Sequence, residues 1–84
     1  MKHINNFIEL GWQNLSTSTD HLTVSRALAA EGPWTPLLNQ TNPDATGPYT
    51  IRLVDNTIGT PHYYKLDTFV GTIFIYGYGP LLLQ

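Results

Sequence analysis

The feature that most constrains this chain is a repeated alternation of apolar and polar residues, in runs too short for anything but strands. Ile8, Leu10 and Trp12 alternate with Glu9, Gly11 and Gln13, and Leu22 and Val24 alternate with Thr23 and Ser25. Tyr49, Ile51 and Leu53 are separated by Thr50 and Arg52, and Tyr64 and Leu66 alternate with Lys65 and Asp67. A period of two places each apolar set on one face of an extended segment. Ile73 through Tyr78 is β-branched and aromatic, the composition strands favour. Turn-forming clusters separate the runs: Ser16 to Asp20, Glu31-Gly32-Pro33, Asn42 to Pro48, Asn56 to Pro61, and Val70-Gly71. Five or six short strands at near-regular spacing predict an all-β fold, a small antiparallel sandwich or barrel.

One segment competes with that reading. Arg26-Ala27-Leu28-Ala29-Ala30-Glu31 contains good helix formers, but Gly32-Pro33 ends it after barely two turns. An isolated helix of that length is marginal in water. The expectation is therefore a strand end, a turn, and a short strand around Trp34 to Leu38.

Length and charge narrow the function classes. The 84 residues suffice for one core, so residues 1–84 are read as one domain. Charged residues make up 12% of the chain, against about 25% in typical soluble domains. Lys2, Arg26, Arg52 and Lys65 are the only basic residues besides the histidines, and the net charge is −2. That leaves no phosphate-neutralising surface, so nucleic acid is not an expected partner. With no cysteine there is neither a disulfide nor a thiolate site. The apolar stretch Gly71 to Leu83 is broken by Gly77, Gly79 and Pro80 and is too short to span a bilayer as a helix. The N-terminus lacks the apolar core of a signal peptide, since Glu9, Gly11 and Gln13 interrupt it. Membrane insertion and export by a signal peptide are therefore not expected. The glycosylation sequons at Asn14 and Asn39 then carry no meaning.

The order of residues resembles a fibronectin type III domain. Ile8-Glu9-Leu10-Gly11-Trp12 is similar to that family's strand B, an apolar-x-Leu-x-Trp pattern. Leu22 to Arg26, followed by Gly32-Pro33-Trp34-Thr35-Pro36-Leu37-Leu38, is similar to the stretch after it. Tyr49 to Leu53 with Asp55, then His62-Tyr63-Tyr64-Lys65-Leu66, look like strands E and F, and Gly79-Pro80 falls within strand G. The resemblance runs from about Phe7 to Leu83 through short, degenerate motifs. It implies a fibronectin type III-like β-sandwich whose first strand is shortened or missing, because only Met1 to Asn6 is left to form it. An uncovered sheet edge is a row of free N–H and C=O groups, which points toward assembly.

No catalytic constellation stands out. Asp20-His21 near Ser16 and Ser18 has the residue types of a hydrolytic triad, but Ser-Thr-Ser-Thr-Asp is ordinary loop chemistry. Neighbours on a strand are also expected to point to opposite sides. His3, His21 and His62 are scattered, and Asp44, Asp55 and Asp67 lack the spacing of a calcium loop. Gly77-Tyr78-Gly79 reads as a bulge or bend and not as a phosphate cradle. The expectation is no enzyme, no metal and no cofactor.

Two features suggest binding instead. In the implied fold, the loops Asn14–Asp20 and Asp67–Thr72 meet at one end of the sandwich, where relatives present recognition loops. The second loop places Phe69 and Val70 near a hairpin tip, where Phe69 either anchors a partner or folds back over the open end of the core. Leu81, Leu82 and Leu83 are consecutive, so at least one must face away from the core. Tyr63, Tyr64, Tyr76 and Tyr78 either stack on a sugar or fill the core. These residues predict a non-catalytic interaction module docking on protein subunits of a larger assembly, itself included. A small virion protein, either a phage capsid decoration or a tail component, is the concrete expectation, with the cytoplasm as the alternative location. The competing expectation is a soluble module that recognises a carbohydrate or a host protein through its loops.

Overall fold

The computed structural model of the chain describes residues 2–4, 7–15, 18–54 and 60–83. Ser16, Thr17, Gln84 and residues 55–59, which hold Asp55 and most of the Asn56–Pro61 turn, lie outside the described residues.

Each alternating run forms a strand. In chain order these are β1 (Lys2–Ile4), β2 (Phe7–Asn14), β3 (His21–Ala27), β4 (Thr35–Thr41), β5 (Gly47–Val54), β6 (His62–Val70) and β7 (Ile73–Leu83). Where five or six strands were expected, the described residues form seven. The strand beyond six is the short β1, and the strand expected around Trp34 to Leu38 is β4, which extends further through the polar Asn39-Gln40-Thr41. The helix-forming residues after Arg26 make bends and a turn, closed by a bond from Gly32 N–H to Ala29 O at 3.0 Å. Local propensity loses there because β3 continues to Ala27 in register with β6.

The strands build two antiparallel sheets, one in the order β1-β2-β5 and the other in the order β4-β3-β6-β7. They pack face to face as a small β-sandwich, the all-β class that the alternation predicts. Ile8, Leu10, Trp12 and Ile51 from one sheet meet Leu22, Val24, Tyr64 and Leu66 from the other. Trp12 sits opposite Tyr49 in the β2–β5 register, with ring centroids 5.6 Å apart. The solvent face of the smaller sheet carries the polar alternates, and Arg52 Nε–H donates to Glu9 Oε2 at 2.9 Å.

The first strand is short. β1 lies opposite Phe7, Ile8 and Glu9 alone, so no described strand covers β2 from Leu10 to Asn14 on that side. On the other sheet, β7 is the edge. Its register against β6 slips twice, once at Ile75 and once at Gly79-Pro80. The glycine at 79 is obligatory in physical terms. Its φ is +97°, and a Cβ there would stand 2.7 Å from the Tyr64 carbonyl oxygen.

Candidate functional site

The end of the sandwich that carries the β6–β7 hairpin is assembled from four segments held by polar contacts. Asn14, at the end of β2, is completely buried. Its amide donates to the carbonyls of Pro43 at 3.3 Å and Ala45 at 2.8 Å, anchoring the β4–β5 connection. Its Oδ1 accepts from Asn42 Nδ2 at 3.1 Å and from the Tyr76 hydroxyl at 2.7 Å, which reaches across from the other sheet. Asn42 Nδ2 also donates to Thr19 Oγ1 at 2.6 Å, and the Tyr76 hydroxyl accepts from Leu15 N–H at 2.9 Å. A buried amide is tolerated here because its donors and its acceptor all find partners.

Asp20 fixes the hairpin itself. Its backbone N–H donates to Phe69 O at 2.8 Å, and one carboxylate oxygen accepts from Gly71 N–H at 2.9 Å. The other accepts from His21 Nδ1–H at 2.5 Å. The Gly71 bond, and after it the His21 bond, hold the Asp20 carboxyl below its ordinary pKa. The expected divergence of Asp20 and His21 is thus corrected. Asp20 precedes β3 in non-strand backbone, so strand alternation does not separate the two side chains. Both carboxylate oxygens are engaged in shaping the turn, where Gly71 takes a φ of +57°. Ser16, the other half of the triad reading, lies outside the described residues, and Ser18 is exposed.

On this scaffold stands an apolar surface. Ile73 is 65% exposed, Phe74 56%, Ile75 44% and Val70 39%, with exposed Leu15 on the adjoining loop. Phe69 is only half-buried and lies on the outer face of the sheet, in register with His21 on one side and Phe74 on the other. It stacks on His21 at 5.2 Å and meets Phe74 edge to face at 6.1 Å. Further along the same face, Lys65 Nζ sits 4.6 Å from the Trp34 ring centre and 3.2 Å from Asp67 Oδ2. Gly77 lies opposite Asp67, and a Cβ there would collide with the Asp67 carboxylate.

The predicted contact residues therefore separate. Phe69 and Val70 belong to the hairpin surface. Leu82 faces outward opposite Tyr63, and Leu81 is half-exposed at the edge opposite Tyr64. Leu83 instead packs against the core. Ile73, Phe74 and Ile75 were missed, although residues 68–84 contain no charged side chain, a run that marks this strand in the sequence. Among the tyrosines, Tyr64 fills the core, Tyr76 bonds to Asn14, and Tyr78 donates to Gln13 O at 2.6 Å. Burial, and then the neighbouring Tyr76, push the Tyr78 phenol up.

The opposite end offers less. An open depression of about 280 Å³ is lined by Arg26, Leu28, Pro33 and His62 among others, slightly below the ~300 Å³ at which ligand clefts begin. Among the described residues no three His, Asp or Glu side chains come together, and no helix is long and apolar enough to cross a membrane. The chain matches no protein family, no curated protein and no solved structure.

Proposed function

We propose that this chain is a non-catalytic interaction module, a fibronectin type III-like sandwich that docks on protein subunits of a larger assembly. One observation carries the reading: Val70, Ile73, Phe74 and Ile75 are exposed together on a hairpin that Asp20 and Asn14 hold in place. Apolar side chains on a fixed support bind a partner without an ordering cost, and aromatic anchors dominate interface energetics. The resemblance to the fibronectin family is supported by the pairing of its strand-B and strand-E segments as β2–β5, and of its strand-F and strand-G segments as β6–β7. The assembly we propose is a phage particle, with the chain as a capsid decoration or tail component, in keeping with a low-charge surface that is poorly protected against association.

The aromatic row His21–Phe69–Phe74 favours one second reading, recognition of a sugar ring stacked on the outermost Phe74. Co-sedimentation with the particle, alongside a glycan array, tests both. Phe74→Ser and a Leu81→Ser/Leu82→Ser pair should abolish co-sedimentation while circular dichroism stays that of the folded sandwich. Retained particle binding by both variants overturns the docking reading, and glycan signal lost in Phe74→Ser replaces it with the second. Deleting the whole Leu81–Gln84 tail is a poorer test, since the half-buried Leu83 packs against the core.

A further inference from the structure

We propose that the free edge of β7 is a self-pairing edge, on which a second copy of this chain adds its own β7 antiparallel about a two-fold axis. The result is one continuous sheet of twice the four strands seen in the single chain. This rests on the reading of the chain as an interaction module and names the partner of its hairpin strand.

The sandwich has four sheet edges, and they differ in how they resist association. β1 is three residues long. β5 carries the charged and exposed Arg52. β4 carries Pro36 early and the polar Asn39-Gln40-Thr41 at its end. Short length, charge, proline and β-bulges are the usual protections of an edge, and of these β7 has its two slips of register and Pro80 but neither short length nor charge. β7 is the longest strand, at 11 residues, and bears no charge. Its Pro80 lies near the C-terminal end; before it come the β-branched and aromatic Ile73, Phe74 and Ile75, and between the slips at Ile75 and at Gly79-Pro80 the strand pairs regularly from Tyr76 to Tyr78. Among the described residues β7 pairs with β6 alone, so its outward N–H and C=O groups face no strand.

The partner is a second copy because the edge is self-complementary. A two-fold axis across β7 brings apolar and uncharged residues against their own kind, with no like charges to repel. Area agrees. The exposed parts of Ile73, Phe74, Ile75, Leu81 and Leu82, main chain included, amount to roughly 500 Å², the larger share of the ~800 Å² per partner of a stable interface.

Sedimentation velocity from micromolar to millimolar protein tests the pairing. The wild type should shift from monomer to dimer. Ile75→Lys should weaken the dimer at least about tenfold by placing a charge in the joint. Thr50→Lys, on the β5 edge, should leave it unchanged. Since the chain lacks cysteine, single substitutions to Cys at Thr72, Ile73, Phe74, Ile75 and Tyr78, which avoid the glycines that cannot carry a Cβ, also report the joint through disulfide-linked dimers under mild oxidation. The strongest cross-link marks the residue nearest the axis. A wild type that stays monomeric at millimolar concentration overturns the self-pairing, as does a dimer that Ile75→Lys leaves intact and that cross-links through Thr50→Cys instead. A monomer that still co-sediments with the particle overturns the self-pairing while the docking reading stands.

Discussion

β6 and β7 are the two arms of one hairpin, and the more apolar arm is the more exposed. β6 carries Lys65 and Asp67, yet buries Tyr64, Leu66 and Thr68 in strict alternation. β7 has no charge at all, and only Tyr76, Tyr78 and Leu83 are even half-buried. The difference is position. β6 is flanked by β3 and β7 and faces the other sheet, whereas β7 has a neighbour on one side only and slips register twice. Apolar composition alone does not place a residue in a core, and apolar residues left outside a core mark a surface that something else covers.

The sharpest way to break this comparison is to truncate each arm. Leu66→Ala removes a side chain that is fully enclosed and should cost about 3 kcal/mol of folding stability. Ile73→Ala removes one that is mostly in water and should cost less than about 1 kcal/mol. Urea unfolding at a concentration low enough to keep the protein monomeric measures both. Equal losses would mean that the two arms are equally part of the core.

A second effect, slightly smaller, concerns the polar support under the exposed arm. Asn14→Ala strips partners from the Asn42 amide, the Tyr76 hydroxyl and the carbonyls of Pro43 and Ala45. Leaving buried polar groups unsatisfied should cost about 2–3 kcal/mol. Asn39→Ala, on the exposed side of β4, should stay within about 0.5 kcal/mol. The same burial closes the Asn14 sequon to modification in the folded chain, whatever its compartment.

Much of the fold was legible because its core obeys a local rule. Ile8, Leu10 and Trp12, like Leu22, Val24 and Leu66, are buried at the period their sequence shows. What escaped is what depends on distant partners. Asn14 reads as a polar strand end and is buried only because Asn42 and Tyr76, far along the chain, meet its side chain. Asp20 reads as loop chemistry, and its role comes from Gly71 across the sheet. In β7 the two slips of register erase the period that would have told the inner residues from the outer ones. Phe69 and Leu82 could be picked out as candidate contacts, whereas Ile73, Phe74 and Ile75 are marked only collectively, by the uncharged run from 68 to 84.

The smallest effect tests whether the exposed arm is held by a charge. The Asp20 carboxyl lies below its ordinary value of 3.8, first because Gly71 N–H donates to it and then because His21 does. A carboxyl whose pKa is lower in the folded than in the unfolded chain adds stability above the unfolded value. That stability is lost as the pH falls through the folded one. In Asp20→Asn the amide still offers Gly71 an acceptor oxygen but does not titrate in this range. The wild type should therefore unfold at a slightly higher urea midpoint than Asp20→Asn at neutral pH, and the gap should close as the pH drops below about 4. Carboxylates common to both proteins cancel from the difference, so the closing gap reports Asp20 alone. Hydrogen exchange at the Gly71 amide gives the same comparison locally, with protection in the wild type falling relative to the variant on the acid side. A gap that stays constant through the acid range would show that the turn is held by backbone geometry at Gly71 and not by the carboxylate beside it.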